Sequence, residues 1–356
     1  MTTTAKLIYE KLAHAGIYGP SSDECALYER HLIRYFEREY QRHIDNPVSL
    51  RDLGISTDEG PMMEETDALM DSHYDVTQSF FTNFLDSYYH AYSMAYYGNS
   101  PDTIRNSAAS LEDAQHEKFC LIADRAQIQG HERIFNIGSG FGSLETFLLT
   151  NFPSIEIVGI TPSKVQISYL EQRMRDISDP LSSSRFTLIE GPFDQLPLET
   201  LGIRCYDIVI SVAVFEQVIN MDGIMERIAK LLTPGGRTFH HFITSRLVIP
   251  KLLDPTKTRI GLYFPGGRVW PHDEFTHHTM HFDLLNNWFI NGLNYWRTLD
   301  EWHRRYWASI PSLYGSVFDT NAIAHWNSYF SLCKAVFAPM NGNFYGNSHY
   351  LFKLRS

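Results

Sequence analysis

The residues with the clearest chemical potential in this chain are three glycines. Gly138, Gly140 and Gly142 break an apolar run at Ile134-Phe-Asn-Ile137, and a helical pattern starts directly behind them in Ser143-Leu-Glu-Thr-Phe-Leu-Leu149. A strand ending in such a turn lets backbone come close to a ligand and aims free helix N–H groups at it. Spacing narrows the choice of ligand. A dinucleotide site uses GxGxxG with a carboxylate about twenty positions on. Here the spacing is GxGxG, and the next strand ends in Gly159-Ile-Thr161 without an acid. S-Adenosylmethionine has no pyrophosphate, so a compact turn suffices for its methionyl part. The turn alone leaves flavin, nicotinamide and S-adenosylmethionine in competition.

Two other groups of reactive side chains point away from metal and disulfide chemistry. His277-His278-x-x-His281 lacks the HExxH glutamate and any nearby cysteine, so these histidines are read as cap residues near a substrate mouth, with no metal bound. Cys25, Cys120, Cys205 and Cys333 lie far apart with no CxxC pair. That excludes a zinc ribbon or a disulfide scaffold and fits a reducing, cytoplasmic setting.

The elements that must hold the glycine turn follow from periodicity. Strand-like runs at 133–138, 156–161, 186–191, 207–212 and 237–243 alternate with helical stretches, notably 163–176 and 222–232. This alternation predicts a parallel sheet with helices on both faces. Residues 1–70 read as a helical extension, with Ser21-Ser-Asp-Glu24 as a capping box and Leu27, Leu32, Tyr35 and Phe36 on one side. The core runs over 71–244. Residues 245–345, rich in Trp, His and Phe, read as an inserted cap of helices over the substrate, and 346–356 as a closing strand of the core.

Composition sets the outer limits. The 356 residues carry 30 basic and 41 acidic side chains, a net charge of −11 that disfavours nucleic acid and an anionic membrane surface as partners. Peripheral membrane contact is therefore not favoured. The first twenty residues hold no basic-then-apolar leader, and no run approaches 18 apolar residues, so no spanning segment is expected. An aromatic share of 14% is enough to line an apolar pocket for a small hydrophobic substrate. Oligomeric state stays open.

Further motifs surround the turn. His73-Tyr-Asp75, Phe80-Phe81, Leu85-Asp86, Tyr92-Ser93 and Leu111-Glu-Asp-Ala-Gln115 precede it; Thr161-Pro-Ser-Lys-Val-Gln166, Val214-Phe-Glu-Gln217 and Phe264-Pro-Gly-Gly267 follow. In this order they resemble the cyclopropane fatty acid synthase family of S-adenosylmethionine-dependent enzymes, which includes the mycolic acid cyclopropane synthases. Arg125-Ala-Gln-Ile128, Arg297-Thr-Leu-Asp-Glu-Trp302 and Gly346-Asn-Ser-His-Tyr-Leu-Phe-Lys353 also look like plant coclaurine-type N-methyltransferases. The resemblance spans about 71–356. It implies a Rossmann-like class I methyltransferase fold, with a mostly parallel sheet, a helical N-terminal extension and a late helical cap.

The resemblance also implies site residues. It places the cofactor around Tyr92, Ser93, Gly138, Gly140, Thr161, Gln166, Pro192 and Phe193. Thr161 and Gln166 can hydrogen-bond a ribose or carboxylate, and Phe193 can stack on adenine. Asn136 stands where the family usually has Asp, and Ser139 where it has Cys. In the cyclopropane synthases a bound bicarbonate is the base, held by Glu, His and Tyr side chains plus backbone. Glu216, His241 and Tyr295 fall on those positions, Ile243 follows His241, and Met94 takes the backbone position held by Cys. The plant enzymes carry an acid and a histidine that bind the amine, where this chain has Ala213 and Gln217.

These residues suggest methyl or methylene transfer to an alkene carbon, with Glu216, His241 and Tyr295 holding bicarbonate or acting as the base. N-methylation of a small amine is the alternative, and a cofactor-binding scaffold without catalysis is the third. Each catalytic residue has a structural reading beside the chemical one: Glu216 as a helix cap, His241 as a satisfied core histidine, Tyr295 as a buried aromatic.

Overall fold

The computed structural model describes residues 3–64 and 78–355. The motif His73-Tyr-Asp75 and the expected boundary at residue 71 lie outside the described residues. An eight-stranded sheet organises the chain, in the order β3-β2-β1-β4-β5-β8-β7. The strands are β1 (Arg133–Ile137), β2 (Glu156–Thr161), β3 (Phe186–Glu190), β4 (Tyr206–Val212), β5 (Leu232–Ser245), β6 (Trp270–Pro271), β7 (Phe282–Asn291) and β8 (Tyr345–Leu354). The first five run parallel, β6 pairs parallel with the end of β5, and β8 is antiparallel to both β5 and β7.

Strand alternation builds two apolar layers. Phe135, Ile137, Val158, Ile160 and Val209 face Ile224, Met225 and Ile228 of the helix Met221–Leu231. Ile134, Ile157, Ile208 and Ile210 face Phe119, Ile122, Phe147 and Leu148 of the helices Leu111–Arg125 and Ser143–Asn151. A sheet covered on both faces needs near-continuous apolar strands, which is the composition these runs have. The order of β3-β2-β1-β4 reverses between β1 and β4, so the glycine turn after β1 opens at a topological switch point.

A third apolar layer roofs the carboxyl ends of the strands. The helices Leu293–Leu313 and Thr320–Phe337 pack with the N-terminal helix Asp23–Asp45 around Tyr40, Phe80, Phe84, Trp302, Tyr306 and Phe330. Two expectations change here. The N-terminal helix is capped by Ser22, whose Oγ accepts from Cys25 N at 3.1 Å, so Glu24 closes no box with Ser21. Leu27 and Tyr35 are exposed, Leu32 and Phe36 are half-buried, and the fully buried residues of this helix are Cys25 and Tyr40. The segment expected to be a helical cap also contributes β7, a ten-residue strand of the core sheet. Its alternation is broken by a register shift between Leu284 and Asn286, and its outer side chains are solvated, as an edge strand allows.

Candidate active site

All eight residues expected around the cofactor line one cavity at the carboxyl ends of β1 to β4. The local folding explains why. Gly138 N and Ser139 N both donate to Ile160 O, at 3.0 and 2.9 Å, which folds the turn onto the end of β2. Gly138 has φ +82, and a Cβ there would lie 2.6 Å from Val214 Cγ2. Only glycine meets both conditions at this position. Ser163 caps the helix Lys164–Arg175 by accepting from Gln166 N, which sets Gln166 beside Thr161; Thr161 Oγ1 donates to Gln166 Oε1 at 2.6 Å. Gly191 N donates to Thr161 O at 3.0 Å and aims Pro192-Phe193 at the cavity. Ser93 Oγ accepts from Lys118 Nζ at 2.9 Å. Burial pulls that ammonium down to about 7, with Asp86 opposing. Lys118 carries no signal in the sequence beyond its place in a helix.

Gly138→Ala is expected to weaken cofactor binding at least about tenfold while the fold persists, because the new methyl strains the turn and meets Val214. Isothermal titration with S-adenosylhomocysteine checks this. Affinity equal to wild type would remove the turn from the site.

A second cavity adjoins the first and shares Tyr92, Ala213 and Gln217 with it. Its walls are Phe264, Tyr295, Tyr329, Val336 and Phe337 from the roof and Ile243 from β5. Ala213, which lines both cavities, has φ +58, and its N donates to His241 O at 2.7 Å. Glu216 lines the second cavity from the short helical turn Phe215–Gln217. Its Oε1 accepts from Ile243 N at 2.9 Å, and its buried Oε2 has no partner among the described residues. Burial pushes this carboxyl up to about 7 against two backbone hydrogen bonds. Tyr295 lines the same cavity.

The structure separates His241 from that pair. It lines neither cavity and is fully buried between β5 and β8. Arg125 can only donate, so His349 Nδ1 accepts from its guanidinium at 3.0 Å. His349 Nε2 then carries the proton and donates to His241 Nδ1 at 2.6 Å. The proton on His241 Nε2 faces the Asn347 amide at 3.1 Å, whose oxygen accepts it once the amide is oriented by this network. Both rings are neutral. Burial, reinforced by Lys118 and Arg125, pushes His241 down to about 3 and, with His241 itself, holds His349 well below the ordinary range.

The trio His277, His278 and His281 lines neither of the two cavities. His278 instead donates to Asp222 Oδ1 at 2.7 Å and lies 3.5 Å from Glu274, which also accepts from Thr57 at 2.7 Å. Burial opposes its charge, but Glu274 and Asp222 outweigh burial and raise the imidazole above its usual value. A raised histidine contributes stability that is complete below the unfolded value of 6.5 and fades as pH climbs through the folded one. Denaturant midpoints of wild type are expected to fall between pH 6 and 8 more than those of His278→Gln; parallel curves would refute the pairing.

Comparison with known proteins agrees with this architecture. The mycolic acid cyclopropane synthetase profile matches residues 63–345. The chain is 25% identical over 243 residues to a cyclopropane-fatty-acyl-phospholipid synthase of Escherichia coli strain K12, covering 68% of this chain and 57% of that one. It therefore spans little more than half the length of that curated relative. A coclaurine N-methyltransferase structure bound to N-methylheliamine and S-adenosylhomocysteine superposes with a TM-score of 0.73 at 19% identity, over 98% of this chain and 94% of that one. A cyclopropane synthase from Mycobacterium tuberculosis gives 0.68 at 19% identity, over 83% and 100%. With the profile matching most of its length and the sheet order in agreement, the chain belongs to the mycolic acid cyclopropane synthetase family and has the fold of class I S-adenosylmethionine-dependent methyltransferases.

Proposed function

We propose that this chain is an S-adenosylmethionine-dependent methyltransferase whose acceptor is a hydrophobic molecule carrying an alkene, methylated on carbon or cyclopropanated. The observation that carries the reading is Glu216 Oε2, a buried carboxylate oxygen without a partner among the described residues, in a largely aromatic cavity beside the glycine turn that Gln217 and Arg268 also line. The cofactor fits the first cavity. Asn136 Oδ1 is buried there without a partner among the described residues, and Gly138 leaves a cradle that any Cβ would fill.

When bound, the cofactor supplies a methyl group on a cationic sulfur. Tyr92 lines both cavities, and its hydroxyl lies 3.2 Å from that of Tyr329, so the pair spans the boundary the methyl crosses. Positioning therefore accounts for much of the rate. The alkene π electrons would form the new C–C bond as the methyl–sulfur bond breaks and its electron pair returns to sulfur, leaving a neutral thioether and a positive charge on the acceptor. The faces of Tyr295, Tyr329 and Phe337 suit that charge. Glu216 Oε2 then takes the proton whose loss closes the ring or restores a double bond.

Bicarbonate does not fit the groups assigned to it. His241 has both nitrogens committed in the sheet, and Ile243 N–H is held by Glu216 itself. Glu216 is accordingly proposed as the direct base. His241 supports the strand from which Ile243 orients that carboxylate.

The same carboxylate and rings would receive an ammonium, which keeps amine methylation as the second reading. Against it, Ala213 and Gln217 add no acid or imidazole to the cavity. Incubation with ¹³C-methyl S-adenosylmethionine, a cis-unsaturated acyl acceptor and a benzylic secondary amine distinguishes them by NMR. The carbon reading expects the label on carbon, in a ring or branch. Label found on nitrogen alone transfers the assignment to the amine.

A further inference from the structure

We propose that Cys25, Glu29 and His303 form a binding site for a zinc-class divalent cation that ties the N-terminal helix Asp23–Asp45 to the roof helix Leu293–Leu313. One ligand atom from each lies within 4.8 Å of the other two. Cys25 and Glu29 are one helical turn apart and present sulfur and oxygen on one face, with Cys25 Sγ 3.5 Å from Glu29 Oε1. His303 Nδ1 approaches the same oxygen at 3.9 Å from the facing helix. Zinc bonds of about 2.3 Å to sulfur and about 2.0 Å to nitrogen place ligand atoms roughly 3.5 Å apart in a tetrahedron, so small side-chain rotations complete the triangle.

The decisive observation is the state of His303. Asn327 Nδ2 donates to Tyr18 O at 3.0 Å, which turns Asn327 Oδ1 toward His303 Nε2 at 2.8 Å. Nε2 must carry the proton, and Nδ1 is left as a bare lone pair. That nitrogen is fully buried, has no hydrogen-bond partner among the described residues and lies 3.9 Å from a carboxylate oxygen. Lys334 and Ser331 satisfy the Glu29 oxygen but leave the imidazole lone pair unused, and a cation between Nδ1 and Oε1 would engage both acceptors. The second layer is already in place. Asn327 orients the imidazole, and Ser331 Oγ donates to Glu29 at 3.0 Å and lies 3.6 Å from Cys25 Sγ.

Lys334 is the competing cation. Its Nζ contacts Glu29 Oε1 at 2.6 Å and Asp300 Oδ1 at 3.1 Å. Entry of a metal leaves the ammonium with Asp300, and Cys25 gives up its thiol proton to solvent. Access runs along Glu29, the most exposed member at 17%. The consequence reaches the acceptor cavity, because Ser331 and Lys334 share the helix Thr320–Phe337 with Tyr329, Cys333 and Phe337, which line it.

The test uses the full chain, stripped by chelator and titrated with Co²⁺ and then Zn²⁺. One equivalent of Co²⁺ is expected to give a thiolate charge-transfer band in the near ultraviolet that Zn²⁺ abolishes. Cys25→Ser is expected to lose the band, and His303→Asn to weaken binding at least about tenfold. If these variants do not fold, alkylation of wild type in mild denaturant, mapped by mass spectrometry, gives the answer. Zn²⁺ should protect Cys25 and leave Cys333 unchanged. No band, a band that survives Cys25→Ser, or equal labelling of both cysteines with and without zinc overturns the site.

Discussion

Glu216→Gln is expected to lower turnover by about 10²-fold or more and to leave S-adenosylhomocysteine affinity unchanged. Glu216 lines the second cavity, proposed for the acceptor, and not the first, proposed for the cofactor, so on this reading the change reaches the acceptor side alone. The amide keeps the size of the side chain and its hydrogen bond from Ile243 N, but Nε2 cannot take a proton, and removing a positioned base costs about this much. The pH profile gives a second signature. With the carboxyl pushed up to about 7 by burial, the base is mostly protonated at pH 6 and ionised at pH 8, so wild-type rate should climb through that interval. The variant's small residual rate should be flat.

Stability runs in the opposite sense. The folded carboxyl holds its proton more tightly than the unfolded one, so wild type loses stability as pH rises from 4.5 to about 7, by on the order of 3 kcal/mol. Glu216→Gln should not show this loss and should be the more stable protein at pH 8. Wild-type activity in the variant would remove Glu216 from the chemistry. Lost activity together with lost cofactor affinity would mark it as structural.

Short-range geometry made the cofactor cavity legible. A strand, a glycine turn and a helix N-terminus lie within about fifteen residues, and repeating that unit along a parallel sheet brings the ends of β1, β2 and β3 together. Thr161, Gln166, Pro192 and Phe193 come from the family resemblance, and this repeated geometry explains why they line the same cavity as the glycine turn. His241 could not be placed this way. It shares a strand face with Ile243, but its partners His349 and Asn347 arrive more than a hundred residues later, through the antiparallel pairing of β5 with β8. Nothing in local spacing shows that both its nitrogens are taken. The strand β7 was hidden for a related reason, since an edge strand with a register shift breaks the alternation that reveals strands. The Cys25–Glu29–His303 cluster joins helices from opposite ends of the chain, so no motif spacing could reveal it.

Asn136→Asp places an acid beside the glycine turn, and it is expected to destabilise the chain by about 2–4 kcal/mol at pH 8. Asn136 Nδ2 donates to Glu145 Oε1 at 2.7 Å, and both side chains are buried. Glu145 is held above the usual carboxyl range by burial, with Asn136 and Ser139 drawing it down. Aspartate replaces the donor with an acceptor, so two carboxylates face each other unless they share a proton. The space cannot relax, because Gly159 packs directly against Ser139 Oγ and Glu145 Oε1. The penalty should therefore shrink at pH 6, where a proton between the two oxygens is easier to retain. Asn136→Asp combined with Glu145→Gln rebuilds the hydrogen bond with its direction reversed and should recover most of the loss. Urea midpoints of the two single variants and the double variant at both pH values decide the matter. An aspartate variant as stable as wild type at pH 8 would show that Asn136 and Glu145 are not coupled. A coupled pair means that the glycine turn tolerates Asn136 here because Glu145 stands under it, and that residue 136 and residue 145 can only change together.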